Sequence, residues 1–385
     1  MNFVILSTAD WDNPFWTNKQ HMAKTFEKHG HNVIYVDSLG IRKPKIDKRD
    51  IFRILKRFKS LFKPYTKVSN NIWRISPFVL PFHNVSIVRK FNDIFLSLII
   101  KNLMFFLNFK EYIVWTYSPI TDTIIDRFSA SKIIYHCVDD LSALPNVNKE
   151  NLKKREKELI LKCDYIFTTS KNLFDYIKPL NNRTYYQNNV CDYEHFSSAK
   201  TQKFHLPKDL VNIKKPIIIF VGAISSYKIN FNLIANIAKN HTKWNFVMIG
   251  QVGEGQPETN IDILNSLENI HLIGPKDYKD IPKYLHFSDV AIIPANINDY
   301  TKSMFPMKFF EYLSSGLQVV STNLHSLKDY EEISFVSKSD KDFERYLIDI
   351  LENKTMKSTD KIYEECIKHT WDGRYQTMMK IMDIK

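Results

Sequence analysis

Sulfur is sparse in this 385-residue chain: Cys137, Cys163, Cys191 and Cys366 are widely scattered, with no CxxC and no Cys/His cluster at metal-ligand spacing. That excludes a disulfide framework and a structural zinc site, and a reducing compartment is expected. Glycine-rich phosphate loops are missing too. Neither GxGxxG nor GxxxxGK followed by Ser or Thr occurs, which disfavours nicotinamide-linked redox chemistry and P-loop hydrolysis. Long uncharged apolar runs are also lacking. The most apolar stretch, Ile87 to Phe109, is interrupted by Arg89, Lys90, Asp93 and Lys101, so it falls short of the ~18 residues a membrane span needs. Met1 to Asp10 carries no cationic leader before its apolar residues, so no signal peptide is predicted and the cytoplasm is the expected location.

What is present is the composition of a folded chain, 44% hydrophobic and 25% charged, long enough for two domains of ~150 to 200 residues. Short apolar runs alternate with helical patterns. The expected strands of the first half are Phe3 to Leu6, Asn32 to Val36, Ile72 to Ser76, Tyr112 to Thr116, Ile133 to Cys137, Tyr165 to Thr168 and Thr184 to Gln187. Helices are expected at Lys19 to Lys28, Val88 to Leu107, Thr121 to Phe128, Glu150 to Leu161 and Leu173 to Ile177. Ile217 to Val221, Phe246 to Ile249, Ile270 to Ile273, Val290 to Pro294 and Val319 to Thr322 repeat the scheme. The pattern predicts an α/β protein with two doubly wound, Rossmann-like parallel sheets. A polar stretch, Ser197 to Lys215, ends at Pro216 and marks the expected hinge. Domains are therefore expected at 1–205 and 206–369, with a terminal helix over 370–385. Only Gly30 and Gly40 precede the hinge; the other seven glycines follow it, several just after a strand, where backbone can approach a ligand. The second domain is the expected nucleotide binder.

Net charge is +12, and between Ile41 and Lys67 eleven Lys/Arg face only Asp47 and Asp50, a local excess of +9. Within that segment Ile51, Phe52, Ile54, Leu55, Phe58, Leu61 and Phe62 recur near helical spacing. A basic amphipathic helix of this kind suits an anionic membrane surface, or packs its stripe on its own domain. No nucleic-acid motif accompanies the basic patch, and nucleic acid is not an expected partner.

The stretch Thr301 to Thr322, TKSMFPMKFFEYLSSGLQVVST, carries the most chemistry. Pro306 is suited to a first helical turn, Lys308 and Glu311 fall three apart on one face near that end, and Gly316 closes the helix before a buried strand. A helix start, an ammonium and a carboxylate at the carboxyl end of a sheet suit a nucleotide: positive charge for the diphosphate, carboxylate for ribose hydroxyls. An i,i+3 surface pair is the plainer alternative. In the first half, IIYHCVDDLSAL places Asp139 and Asp140 just past the carboxyl end of a buried strand, where ligands meet open α/β sheets. A carboxylate there can take a proton from an attacking hydroxyl, and either aspartate can instead cap the next helix. His136, one step back, points to the opposite face from Cys137 and reads as structural.

The 301–322 stretch resembles the donor-site signature of GT-B glycosyltransferases of the GT4-like kind, roughly P-x-K-x-F-E-Y-L-x-x-G followed by a VVST-like strand. The resemblance extends to Val221-Gly222-Ala223, Ile249-Gly250, Ile273-Gly274, the Asn188-to-Asp192 turn, and Trp371 with Arg374 near the carboxy terminus. It implies two domains facing a cleft, a nucleotide-diphosphate sugar (UDP or GDP) as donor, and no metal or other cofactor. It assigns Glu311 to the donor ribose and Lys308 to the diphosphate. Ser303 stands where many GT4 members have a second glutamate, eight residues before the first. Gly222, Gly274 and Lys228 are donor-site candidates, against plain turn glycines and a solvated lysine.

An aspartate at position 139, where retaining GT4 enzymes tend to carry histidine, is similar to the inverting xanthan glucuronosyltransferase and teichuronic-acid transferase relatives, which implies Asp139 as general base. Trp11, Asp12 and Trp16, in the loop after the first strand, would then meet the acceptor, or pack the cleft wall. The resemblance implies a cytoplasmic enzyme, peripheral on the inner face of the plasma membrane, that extends a lipid-linked acceptor in bacterial capsule or lipopolysaccharide synthesis. The alternatives are a sugar-nucleotide 2-epimerase or phosphorylase of the same fold, or a catalytically silent scaffold, for which Ser303 speaks.

Overall fold

The computed structural model describes residues 1–13, 16–40, 64–80 and 85–384. The amphipathic stripe expected over 51–62 lies outside the described residues, as do Pro14 and Phe15. The chain divides into two compact units, one formed by Met1–Asn188 with Tyr375–Lys385, the other by Asn189–Arg374.

The first unit is built on an eight-stranded sheet in the order β3-β4-β2-β1-β5-β6-β7-β8, made of β1 (Asn2–Leu6), β2 (Asn32–Val36), β3 (Tyr65–Lys67), β4 (Ile72–Ile75), β5 (Ile113–Thr116), β6 (Lys132–Cys137), β7 (Tyr165–Thr168) and β8 (Thr184–Tyr186). Only the short edge strand β3 is antiparallel. Strand alternation sorts side chains between the two faces. Val4, Leu6, Val114, Tyr135 and Cys137 join one apolar cluster. On the other face Phe3 stacks on Phe26 with centroids 4.0 Å apart, and Trp115 stacks on Phe167 at 5.8 Å. His136 falls on that second face, fully buried against Trp115 and Tyr117. Near the carboxy terminus Tyr375 lies over His29 at 3.9 Å, and its hydroxyl meets Nε2 of His31 at 2.6 Å.

The helix expected over Thr121 to Phe128 is instead a pair of 3-10 turns, Pro119–Thr121 and Ile125–Arg127. Ile120, Ile124, Ile125 and Phe128 are buried at helical spacing, but local side-chain bonds compete with the helix. The Thr121 hydroxyl donates to the Ser118 carbonyl at 2.7 Å, and Asp122 is held by Arg155.

The second unit carries a six-stranded, all-parallel sheet in the order β11-β10-β9-β12-β13-β14. Its strands are β9 (Ile217–Val221), β10 (Asn245–Ile249), β11 (Ile270–Leu272), β12 (Val290–Ile293), β13 (Gln318–Ser321) and β14 (Phe335–Val336). Both faces are covered, as an all-parallel sheet requires. Ile217, Ile219 and Val221 point into one core, Ile218 and Phe220 into the other. Part of the polar stretch after Ser197 is helical, since Tyr193–Thr201 forms a helix whose amino end is capped by the Asp192 side chain. Because parallel strands share a direction, their carboxyl ends line up on one edge of each sheet, and the loops there form the natural ligand face of each unit.

Candidate functional site

In the second unit the helix Lys308–Ser314 buries Phe309, Phe310, Tyr312 and Leu313. Surrounded this way, Glu311 is 1% exposed. Lys308 donates to its Oε2 at 2.5 Å, and the same ammonium lies 5.9 Å from the Phe196 ring centroid and 6.0 Å from that of Tyr278. Tyr278 is stacked on His195 at 4.7 Å, and His195 Nε2 lies 3.1 Å from the Tyr278 carbonyl. Burial pushes the Glu311 carboxyl up, and the Lys308 ammonium opposes that shift. A buried carboxylate held by one cation is a strongly coupled pair, so removing the lysine would leave an uncompensated charge.

Tyr312 fixes this helix to the sheet. β12 pairs with β9 only as far as Ala291 opposite Ile219, and where that pairing stops the Val221 N–H donates to the Tyr312 hydroxyl at 2.7 Å. The Lys308–Glu311 pair is thereby tied to the carboxyl end of β9. Beyond that end the strand-end loops are laced together. Gly222 N–H donates to the Ile249 carbonyl at 2.9 Å, Gly250 N–H to the Gly274 carbonyl at 3.1 Å and Ile224 N–H to the Gln251 carbonyl at 3.0 Å. A Cβ on Gly250 would fall 1.8 Å from the Gly222 carbonyl oxygen, whereas one on Gly274 would meet nothing within 4 Å. The tight approach is therefore at Gly250 rather than at Gly274.

Lys228 follows in the β9 loop, its ammonium 5.4 Å from the Tyr227 ring and 5.6 Å from that of Tyr300. Asn296 and Asn298 hold this loop by donating to the Ser226 and Tyr227 carbonyls, each at 2.7 Å. Ser303 ends the short helix Asp299–Lys302 and is 2% exposed. A side chain at that position is walled in, not free in a wide groove.

In the first unit Asp140 proves to be a cap. Its Oδ1 accepts from the Ser142 N–H at 3.0 Å and from the Ser142 hydroxyl at 2.6 Å, at the head of a 3-10 turn. Asp139 lies just past β6 and is partly exposed. At the ends of β1 and β2, Trp11 lies 5.7 Å from Trp16 and edge-on to Tyr35 at 5.1 Å. Its N–H donates to Asp37 Oδ1 at 2.8 Å. Arg74 bridges this loop to the sheet, reaching Asp37 Oδ2 at 2.7 Å and Asp12 Oδ1 at 3.1 Å. Burial, the largest effect, lifts the Asp37 carboxyl to about 6 despite Arg74.

Residues 201–369 match the family described as Glycosyl transferases group 1. The Bacillus subtilis protein that carries the name teichuronic acid biosynthesis glycosyltransferase TuaH is 26% identical over 295 residues, 71% of this chain and 72% of the relative. Among solved structures, a glycosyltransferase from Rickettsia africae superposes with a TM-score of 0.67 at 16% identity, over 99% of this chain and 97% of that one. HepE of Anabaena, solved in complex with UDP, gives 0.64 at 9% identity over 99% of each chain. The chain is a glycosyltransferase with a group 1 domain over 201–369, and its fold is that of the GT-B enzymes.

Several residues of this glycosyltransferase around the candidate sites escape a reading of the sequence. Glu156 is 6% exposed and accepts from the Tyr135 hydroxyl at 2.6 Å, with the Cys137 sulfur at 3.8 Å. It sits beneath the Asp139–Asp140 turn, yet comes from a helix (Lys149–Lys162) whose lysine-rich sequence hides it. The cluster of His195, Phe196 and Tyr278 around Lys308 joins segments more than eighty residues apart. The Asp37–Arg74 pair likewise spans two strands, and only the pairing of β2 with β4 brings it together.

Proposed function

We propose that this glycosyltransferase moves a sugar from a nucleoside diphosphate donor, a UDP or GDP sugar, to a lipid-linked glycan acceptor in bacterial surface polysaccharide synthesis. The work would be done at the cytoplasmic face of the plasma membrane, without a metal. The observation that carries the donor reading is the pair of partly exposed Lys308 and buried Glu311, fastened to the end of β9. Lys308 and Glu311 satisfy each other. A diphosphate competes for the ammonium, which uncovers the carboxylate for the ribose hydroxyls. Gly222, Gly250 and Gly274 line the same edge as backbone-only neighbours, with Lys228 and Ser303 in the loops beside them. The Anabaena HepE complex with UDP and the teichuronic acid name of the Bacillus subtilis relative support a nucleotide donor and a polysaccharide product.

In the proposed chemistry the acceptor hydroxyl attacks the anomeric carbon while the Asp139 carboxylate takes its proton. The bond from that carbon to the β-phosphate oxygen breaks, nucleoside diphosphate leaves, and the configuration inverts. Lys308 stabilises the charge that develops on the departing diphosphate. Trp11 and Trp16 offer flat apolar faces to an acceptor sugar, with Asp12 held beside them by Arg74. A thermal-shift series against UDP, GDP, ADP and TDP tests the reading. A ligand at ~100 times its dissociation constant adds about 2.7 kcal/mol. UDP or GDP should raise the midpoint for the wild type and for Asp139→Asn but not for Glu311→Ala, and Asp139→Asn should lose transfer while keeping the shift. A flat response to all four nucleotides would overturn the proposal.

A further inference from the structure

Helix Ser86–Phe106 turns one apolar face inward and leaves another uncovered. Leu96, Ile100 and Leu103 enter the core of the first unit. Ile87, Phe91, Ile94, Leu98 and Phe105 are 81%, 50%, 39%, 61% and 82% exposed. Their spacing of four, three, four and seven residues keeps them on a single line along the helix, about 27 Å long at 1.5 Å per residue. Apart from Val85 and Phe106 at the ends of this helix, the other large apolar side chains exposed among the described residues are scattered along the chain, whereas these form one stripe, and contiguous apolar surface marks an interaction site.

The charges beside the stripe name the occupant. Lys90 and Lys101 are exposed along one flank. The helix's sole acidic residue, Asp93, is buried on the inner side and accepts from the Thr123 hydroxyl at 2.6 Å. A row of Ile, Phe and Leu edged by lysine and free of exposed carboxylates matches an anionic lipid surface, into which such a helix sinks its apolar face while the lysines stay at headgroup level. No described helix is long and apolar enough to cross a membrane, which agrees with a helix lying in the surface. We propose that the Ser86–Phe106 helix seats this enzyme on anionic bilayers through Ile87, Phe91, Ile94, Leu98 and Phe105. The inference deepens the membrane reading given above and rests on it, but it assigns the contact to an element other than the basic segment 41–67.

The test uses the full chain and vesicles of phosphatidylcholine with phosphatidylglycerol, against phosphatidylcholine alone. All four native cysteines are buried, so Leu98→Cys accepts an environment-sensitive fluorophore at one exposed place, with Val211→Cys as control. The label at position 98 should brighten and shift to the blue on mixed vesicles only, and the control should not change. Phe91→Asp with Leu98→Asp should weaken vesicle association at least about tenfold while leaving the nucleotide-induced thermal shift intact. Lys90→Glu with Lys101→Glu should weaken the preference for phosphatidylglycerol. If vesicles bind the Phe91/Leu98 variant as well as wild type and the label stays silent, the helix is not the seat, although the membrane reading survives. If no vesicle binds while transfer activity persists, both membrane statements fall and the donor chemistry stands. A wild-type dimer that Phe91→Asp with Leu98→Asp dissociates, with no vesicle binding, would assign the stripe to a second copy and overturn the proposal.

Discussion

Glu156 carries a titration that its surroundings make unusual. Burial pushes its carboxyl up to about 7, with the Tyr135 hydroxyl holding it back and nearby Asp140 pushing it further. An unfolded glutamate titrates near 4.5. Between those values the native state holds the proton more tightly than the unfolded chain, so this group's contribution to stability declines as pH rises through that window and is level above it. Glu156→Gln mimics the protonated form and removes the slope. Its stability relative to wild type should therefore grow between pH 5 and pH 8, by an amount on the order of 3 kcal/mol. Denaturant midpoints at the two pH values check this, and a difference independent of pH would refute it. Gly250 is the other residue whose surroundings decide its identity. Gly250→Ala places a methyl group inside the Gly222 carbonyl, and forcing the two loops apart should cost about 3 kcal/mol or more and abolish the nucleotide-induced shift.

At the level of elements, Tyr312 links the helix of Lys308 and Glu311 to β9. Tyr312→Phe keeps the ring and its packing but leaves the buried Val221 N–H without its acceptor, a loss of about 1 to 3 kcal/mol. Urea midpoints should fall by that amount, and the UDP or GDP shift should weaken because the ion pair is no longer registered on the strand end. An unchanged midpoint would show that water replaces the hydroxyl. Elements whose residues carried their own signal were legible in the sequence: buried parallel strands such as Ile217–Val221 are unbroken apolar runs, and the three-residue spacing of Lys308 and Glu311 already placed them on one face. The edge strand Tyr65–Lys67 was not legible, because half-exposed Tyr-Thr-Lys carries no periodicity. The Tyr193–Thr201 helix escaped for a related reason: only Phe196 and Ala199 are buried on it, too few to stand out from the polar stretch that follows. Thr121 to Phe128 had the right spacing and the wrong outcome because Thr121 and Asp122 bond locally and to Arg155. Around the site, Lys308 and Glu311 could be read from the chain, while Tyr278, His195, Glu156 and the Asp37–Arg74 pair could not. Their proximity is a product of strand order, which no local pattern contains.

For the whole molecule, charge and apolar surface are unevenly divided, and under the proposed membrane seating the imbalance separates two contributions to affinity. The segment from Ile41 to Lys67 holds +9 of the net +12, whereas the Ser86–Phe106 helix contributes apolar contact with only a few cations. Electrostatic attraction acts over the Debye length, which shrinks from ~10 Å at 0.1 M salt to ~3 Å at 1 M. Apolar insertion does not weaken with salt in that way. Wild-type affinity for phosphatidylglycerol vesicles should therefore fall steeply over that range and then level at a residual value set by the helix. Neutralising five lysines or arginines within 41–67 should flatten the salt dependence and leave the residual unchanged. Phe91→Asp with Leu98→Asp should do the reverse, keeping the slope at low salt and abolishing the plateau at high salt. If both variants changed the slope and the plateau together, the two regions would act as one contact, and the division of labour between charge and apolar stripe would be wrong.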